Sequence, residues 1–249
     1  MGRRLAACNN GEGETGMSFD AARLKLLSFD VFGTLVNVRE GSYGAFERIL
    51  QAANAAHVDV KAFWEVWEEN NIARYWQPYR CYKDICRDSL AASFGAFGIE
   101  GRVETIGYYF DAFPSFALYP DVVPTLDALS SRYALAVVSN IDDDLLSTTQ
   151  LQRTFDLICT AERAKGYKPN GALFRYLLSH AGVARQEILH SGQSQFTDMV
   201  GAKPLGLTVA WINRRGVALS TEVPQPDFQF ADIKSLLGLL MPAADPGPH

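Results

Sequence analysis

Short apolar runs that alternate with helical patterns constrain the fold of this chain more than any other feature. The runs cover residues 24–30, 134–138, 157–159, 188–190 and 207–212. Each run has the length of a buried strand, and segments between them, such as 122–131 and 172–181, have helical spacing. Strands that alternate with helices form a parallel sheet covered by helices. The pattern therefore predicts an α/β fold with a Rossmann-like parallel-sheet core.

The strand-like runs stop between about residue 38 and residue 114. Helix-compatible segments rich in Phe, Trp and Tyr replace them, for example residues 63–67 and 75–79. Pro114 and Pro120 then bracket the return to the alternating pattern. We expect a helical cap subdomain over 38–114, inserted into an α/β core formed by 23–37 and 115–241. Residues 1–22 and 242–249 are predicted to be a flexible N-terminal extension and a flexible tail.

Composition and charge favour a small-molecule partner. The 249 residues carry a formal net charge of -5 with acidic and basic side chains interspersed, so no basic patch indicates nucleic acid or an anionic membrane. No apolar run reaches the roughly 18–20 residues that a membrane span needs. The polar start has no secretory pattern, and the four cysteines lack zinc-ligand spacing. We expect a cytoplasmic protein without a bound metal or cofactor, and the sequence leaves a homodimer open.

Polar clusters follow the predicted strands, where an open α/β sheet places its ligands. They are residues 30–34, 139–140, 168–169 and 192–198. Asp30 ends the first apolar run, and a buried carboxylate there needs a nearby cation and hydrogen-bond donors to stay ionised. Lys168 supplies the cation, Thr34 and Ser139 supply hydroxyls, and Asp198 supplies a second polar group. The clusters therefore predict that Asp30 is a nucleophile.

The same clusters, in order, resemble the four motifs of the haloacid dehalogenase-like hydrolases. The resemblance covers residues 24–240 and is closest to the 2-haloacid dehalogenases, which have an aromatic residue at the position of Phe32. It implies a metal-independent hydrolase that acts on a small-molecule carboxylate. In such an enzyme Asp30 displaces a leaving group from carbon of a small 2-substituted carboxylic acid and forms a covalent ester, which water then cleaves.

The resemblance also assigns roles to individual residues. Lys168 would pair with the Asp30 carboxylate, Thr34 would orient it, and Asp198 would position the water or hold Lys168. Ser139 and Asn140 would hydrogen-bond the substrate carboxylate. The remaining substrate-binding residues are expected to be Phe32, Trp64, Arg74, Gln193, Ser194 and Gln195.

Two departures argue against a phosphatase. Superfamily phosphatases carry a second Asp two residues after the nucleophile, where this chain has Phe32, which cannot transfer a proton. They also carry an acidic residue at the start of the fourth motif, where this chain has Gln193, so magnesium would be poorly held. An atypical phosphatase stays an alternative.

The cap departs from the dehalogenase pattern. Those enzymes receive the halide on a cap arginine soon after a tryptophan, whereas Trp64 is followed here by Glu65. Arg74 or Arg80 is the candidate replacement, although a solvated surface arginine is the commoner case. Halide as the leaving group is therefore open.

Three glutamates of the cap, Glu65, Glu68 and Glu69, have near-helical spacing. They form either a solvated helix face or a contact for a cationic substrate group. The second interpretation would suit hydrolytic ring opening of azetidine-2-carboxylate, whose leaving group is an amine.

Two other polar features are expected to be structural. His190 falls near a strand end without a motif of its own. The run 142–144 consists of three aspartates, which more often serve a helix N-terminus than a metal.

Overall fold

The computed structural model describes residues 19–241, and a six-stranded parallel sheet forms its centre. The strands are β1 (Leu26–Phe29), β2 (Ala134–Ser139), β3 (Leu157–Thr160), β4 (Ile188–Gly192), β5 (Thr208–Ile212) and β6 (Phe228–Phe230). Their order is β3-β2-β1-β4-β5-β6, and every neighbouring pair is parallel. The predicted α/β class with a Rossmann-like core is confirmed. Most of the predicted extension, up to residue 18, and the predicted tail 242–249 lie outside the described residues.

The central strands are those with the most continuous apolar burial. All four residues of β1 are buried, and β1 pairs with β2 on one side and β4 on the other. All five predicted runs form strands. The edge strand β6 was not predicted, because it has only three residues and its middle residue, Gln229, is exposed. A short edge strand of this kind leaves no apolar run in the sequence.

Four helices stand between β1 and the return to the sheet. They are α1 (Val38–Ala52), α2 (Val60–Arg74), α3 (Tyr82–Ala96) and α4 (Gly107–Ala112). Aromatic rings fill the space between them: the ring of Phe46 lies 4.9 Å from Trp67 and 5.6 Å from Tyr109, in both cases edge to face. Such pairs add to the apolar burial that holds short helices together. We keep 38–114 as the proposed bounds of the cap.

The remaining helices belong to the part that surrounds the sheet. They are α5 (Val122–Ser130), α6 (Asp143–Ser147), α7 (Ala161–Ala164), α8 (Ala172–His180), α9 (Val200–Ala202) and α10 (Leu236–Leu240). Two of them, α5 and α8, coincide within one residue with the predicted helical segments 122–131 and 172–181. No helix within 19–241 is long and apolar enough to span a bilayer.

The aspartates at 142–144 tie the cap to the end of β2. Asp142 accepts hydrogen bonds from the backbone N–H groups of Tyr82 (2.8 Å) and Lys83 (3.1 Å), and the Lys83 ammonium binds Asp144. Because these N–H groups begin α3, the carboxylate also meets the positive end of the helix dipole. Asp142 therefore serves a helix N-terminus, as predicted for this run, but the helix belongs to the cap segment.

A second contact fixes the cap above the strand ends. Tyr167, which directly precedes Lys168, stacks on Tyr75 with ring centroids 4.6 Å apart, and its hydroxyl donates to the backbone oxygen of Arg80 at 2.8 Å. The loop that carries Lys168 is thus packed against the cap.

Gly201 in α9 lets that loop approach the helix closely. A Cβ at this position would lie 2.0 Å from the backbone oxygen of Lys168. We expect Gly201→Ala to lower the free energy of unfolding by about 1–3 kcal/mol, because the backbone has to move away from the added methyl group. The matched control is Gly238→Ala in α10, where a Cβ meets nothing within 4 Å; it should change stability by less than about 0.5 kcal/mol. Denaturant unfolding measures both, and equal stability of the two variants would contradict the close approach.

Candidate active site

Asp30 lies at the carboxyl end of β1, where the chain leaves the sheet. Its backbone N–H donates to the Ser191 oxygen at 2.9 Å, and only 6% of the residue is exposed. The next turn requires Gly33, whose φ of +92° side-chain-bearing residues rarely adopt. That turn brings the Thr34 hydroxyl back to donate to Oδ2 of Asp30 at 2.6 Å. The strand and the turn therefore fix both the backbone and the carboxylate of Asp30.

The Lys168 ammonium is the cation of the site. It is 1% exposed and donates to Oδ1 of Asp30 and, at 2.9 Å, to Oδ1 of Asp198. Its backbone N–H donates to Oδ1 of Asn140 at 2.9 Å. Asn140 therefore connects the end of β2 to the lysine loop and does not cap the helix that follows.

Asp198 is held from the other side by residues of β4 and the turn after it. His190 Nε2 lies 3.1 Å from Oδ1 of Asp198, and the Ser194 backbone N–H donates to Oδ2 at 3.0 Å. His190 Nδ1 lies 3.0 Å from the Ser28 hydroxyl. Since a carboxylate can only accept, His190 donates through Nε2. The histidine that was expected to be structural therefore positions a carboxylate of the site.

One buried cation pairs with two buried carboxylates, and the pKa values of these two carboxylates are shifted in opposite directions. Burial would raise the pKa of Asp198, but Lys168 and the hydrogen bond from His190 outweigh it and lower that pKa to about 2. Burial raises the pKa of Asp30 above its usual value; Lys168 offsets part of this rise, and the Asp198 charge adds to it. Burial disfavours the charged Lys168, yet Asp198 and Asp30 outweigh it and raise the lysine pKa. Asp30 is thus the carboxylate of the pair that protonates first.

A cavity of about 480 Å³ opens above this cluster. Asp30 and Lys168 line it, together with seven of the other predicted residues: Phe32, Trp64, Ser139, Asn140, Gln193, Ser194 and Gln195. Thr34 and Asp198 do not line the cavity and act on it through Asp30 and Lys168. The Ser139 hydroxyl is buried and has no hydrogen-bond partner among the described residues. The structure therefore brings together every predicted site residue except one.

Arg74 is the exception and corrects the expectation that it contacts the substrate. It does not line the cavity, and its guanidinium donates to the backbone oxygens of Asn70 (2.8 Å) and Asp88 (3.2 Å). Arg80 also binds Asp88. Arg74 therefore joins α2 to α3, and Arg80 joins the loop before α3 to that helix. The helical spacing of the sequence did not reveal that these side chains lie at the side of the cap.

The three cap glutamates, by contrast, all line the cavity. Glu65 and Glu69 are nevertheless exposed and Glu68 is half-buried, so these side chains lie at the solvated cap side of the cavity, where they could also contact a ligand. Arg215, on the loop after β5, lines the same cavity and was missed by the sequence analysis. It lies in no motif, so spacing carried no signal for it.

Arg214 is a second missed residue, and it supports the turn after Asp30. Its Nε donates to the Thr34 backbone oxygen at 2.7 Å, and its two Nη atoms bind Asp121 at 3.0 and 3.1 Å. Bidentate pairing of this kind fixes both side chains. Its signal in the sequence is the stretch 211–214, which resembles the C-terminal region of the 2-haloacid dehalogenases but was not assigned to the site.

The donor set does not fit a divalent cation. The oxygens of Asp30 and Asp198 are taken up by Lys168, Thr34 and other donors, and Phe32 and Gln193 supply no carboxylate. Across residues 19–241 no group of three or more His, Cys, Asp or Glu side chains is placed to hold a metal ion. A hard cation would have to displace the lysine.

The opposite pKa shifts predict opposite effects of neutralising the two carboxylates. A carboxyl group whose pKa is raised in the folded state destabilises the fold once the pH exceeds its folded pKa, because the ionised form is then disfavoured. At pH 7 Asp30→Asn should therefore raise Tm. Asp198 has a lowered pKa, and its contribution is present above the unfolded value of 3.8 and lost toward pH 2. We expect Asp198→Asn to cost about 2 kcal/mol at pH 7. Thermal and denaturant unfolding measure both, and a loss of stability in both variants would contradict the assignment.

Comparisons with known proteins agree with this arrangement. Residues 27–212 match the family model of haloacid dehalogenase-like hydrolases. The (S)-2-haloacid dehalogenase 4A of Burkholderia cepacia is 24% identical over 85% of this chain and 89% of that protein, and the (S)-2-haloacid dehalogenase of Pseudomonas sp. strain YL is 24% identical over 89% and 96%. The solved structure of L-2-haloacid dehalogenase from Xanthobacter autotrophicus with chloropropionic acid covalently bound shares the fold, with a TM-score of 0.75 and 22% identity over 89% of this chain and all of that one. The chain therefore belongs to the haloacid dehalogenase-like hydrolases.

Proposed function

We propose that the protein displaces a leaving group from carbon 2 of a small 2-substituted carboxylic acid through an ester with Asp30. The observation that carries the proposal is the Asp30 carboxylate, held by Lys168 and Thr34 at the floor of a cavity with Phe32 beside it. The names of the relatives, (S)-2-haloacid dehalogenases, and the covalently bound chloropropionic acid in the Xanthobacter enzyme support it.

The reaction has two balanced steps. An Asp30 oxygen attacks carbon 2, and the bond to the leaving group breaks with its electron pair. Water then adds to the carboxyl carbon of Asp30 and the ester bond breaks; one proton of the water ends on the hydroxyl of the departing 2-hydroxy acid and the other is released to solvent. One oxygen of Asp30 then comes from water. Splitting one difficult substitution into these two steps is the use of a covalent nucleophile.

The roles of the supporting residues follow from their contacts. Thr34 and Lys168 orient Asp30 and keep its ionised form accessible. Asp198 does not line the cavity and is occupied by donors from three residues, which favours its role in holding Lys168 over direct contact with water. The lysine can therefore remain charged while buried.

The substrate carboxylate is proposed to bind at the end of β2. The Ser139 hydroxyl lines the cavity and lacks a partner, and buried hydroxyls without partners are rare in folded proteins. Asn140 uses its oxygen for the Lys168 N–H, so its amide nitrogen is the group available to a ligand. A carboxylate would satisfy both donors.

The leaving group is a separate question, because the cap arginine of the dehalogenases is missing. A second candidate function is hydrolytic ring opening of azetidine-2-carboxylate, in which the ring nitrogen leaves carbon 2 with the electron pair, takes up a proton and stays tethered to the product. It is favoured by the glutamates Glu65, Glu68 and Glu69 on the cap side of the cavity. A cytoplasmic location and a homodimer stay predictions of the sequence.

Isotope labelling tests the covalent step. During turnover of 2-chloropropionate or azetidine-2-carboxylate in oxygen-18 water, the Asp30 peptide should gain label in its carboxylate, as mass spectrometry would detect. Asp30→Asn should lose at least about 10³-fold in kcat. The exposed Asp111→Asn serves as the control and should keep wild-type activity. Verified turnover without label in the Asp30 peptide would contradict the covalent mechanism.

The pH dependence tests the ionisation state of Asp30. Because burial raises its pKa, kcat/KM should fall on acidification with a midpoint above the usual carboxyl value of 3.8. Thr34 lowers that pKa through its hydrogen bond, so Thr34→Val should move the midpoint to higher pH. A midpoint at or below 3.8 in the wild type, or a shift to lower pH in the variant, contradicts the assignment.

A further inference from the structure

The cavity is larger than a three-carbon acid needs. At about 480 Å³ it falls within the range of about 300–1,000 Å³ typical of pockets for drug-sized ligands. Its outer part is built by the cap helices α2 and α3, with Glu68, Asn71, Tyr75 and Tyr82 among the lining residues. A substrate of the proposed kind has room for a further group on this side.

Glu68 is an unsatisfied carboxylate in this outer part. It is half-buried and forms no hydrogen bond or ion pair with any residue in 19–241, whereas its neighbour Glu65 binds Arg39. Burial raises the pKa of Glu68; the charges of Arg215 and Arg39 oppose the rise, and those of Glu65 and Glu69 add to it. A carboxylate that has lost water without gaining a partner is costly, and a cationic ligand would remove that cost.

Aromatic side chains surround the same space. The indole and phenol rings that line the cavity are those of Trp64, Trp67, Tyr75, Tyr82 and Tyr109. Aromatic faces attract ammonium groups, most strongly where water is excluded. Trp64 is 2% exposed, and its indole N–H has no partner among the described residues, so a hydrogen-bond acceptor is missing at this wall. An ammonium group cannot accept this hydrogen bond, so the unpartnered donor calls for an acceptor oxygen elsewhere on the ligand, an observation independent of the glutamates.

The charges that line the cavity also favour a cation. Four carboxylates line it against two cations, Lys168 and Arg215. Asp30 forms an ion pair with Lys168, and Glu65 forms one with Arg39. Arg215 is then the one lining cation left for Glu68 and Glu69. A purely anionic substrate would therefore meet net repulsion at the cap side.

We infer that the outer cavity binds an ammonium group at Glu68, so that the substrate class is a carboxylic acid with an ammonium-bearing substituent. The inference rests on the proposed function for the position of the carboxylate near Ser139. The ammonium group is a substituent that takes no part in the displacement, whereas in azetidine-2-carboxylate the ring nitrogen is itself the leaving group and stays tethered to the product.

Two probes of matched shape test the site. 4-(Trimethylammonio)butanoate carries the cation, and 5,5-dimethylhexanoate replaces the nitrogen by carbon. By isothermal titration the wild type should bind the ammonium probe about tenfold more tightly. Glu68→Gln should abolish the difference by weakening the ammonium probe alone, whereas Glu47→Gln, an equal charge change on the exposed side of α1, should keep it.

Three outcomes would overturn the inference: equal affinity of the wild type for both probes, binding of neither, or equal weakening of both by Glu68→Gln in a variant whose near-ultraviolet circular dichroism is native. Neither probe has a leaving group, so the titration does not depend on the covalent step. Label missing from Asp30 together with a retained ammonium preference would reject the proposed function and support the site. Label present without the preference would do the reverse.

Discussion

The ion cluster of Asp30, Lys168 and Asp198 is the interaction on which the rest of the structure depends. A lysine that is 1% exposed is unfavourable unless its charge is matched, and here two carboxylates match it. Two carboxylates on one cation leave an excess negative charge, and further hydrogen bonds from Thr34, His190 and Ser194 stabilise it. The excess remains on the Asp30 side, next to the cavity, because Asp198 has the larger share of donors. A nucleophile needs this imbalance, since a fully neutralised carboxylate would attack poorly.

The order of the strands in the sheet makes this cluster possible. β1 lies between β2 and β4, so Asp30, Asn140 and the turn that carries Asp198 meet at one edge. The lysine comes from a loop, and it is placed by contacts on three sides: Asn140 from the sheet, Gly201 from α9 and Tyr75 from the cap. The cap therefore helps to position the chemistry that it covers.

Sequence reasoning predicted the core well because its signals are local. An apolar run followed by a carboxylate, as in residues 24–30, reports both a buried strand and the residue at its end. The cap residues were harder, since aromatic segments in helices reveal neither crossing angles nor which side chains meet. Arg74 was placed wrongly because α3 offers it backbone oxygens from Asp88, a contact that the spacing within α2 cannot contain. The contribution of His190 and Arg215 to the site was not predicted for a related reason. The groups near them lie on other elements, and a single residue forms no repeating pattern in the sequence. Gln229 in β6 shows the same limit, because an exposed residue in a three-residue strand leaves no pattern.

The division of labour between core and cap explains how this chain can keep the family's chemistry while its cap departs from the family's pattern. Thr34 and Asp198 come from the turns after β1 and β4, and Lys168 comes from the loop between α7 and α8, so none of these groups lies on α2. Glu65 and Glu68 lie on that helix, and the first is matched by Arg39 while the second is not. The matched residue can be read as structural, since its charge is satisfied within the cap. The unmatched one has no partner among residues 19–241, and a cationic group of the substrate would offset the cost of its partial burial. On the inferred assignment the cap selects the substrate by charge, while the groups that act on its carbon belong to the core.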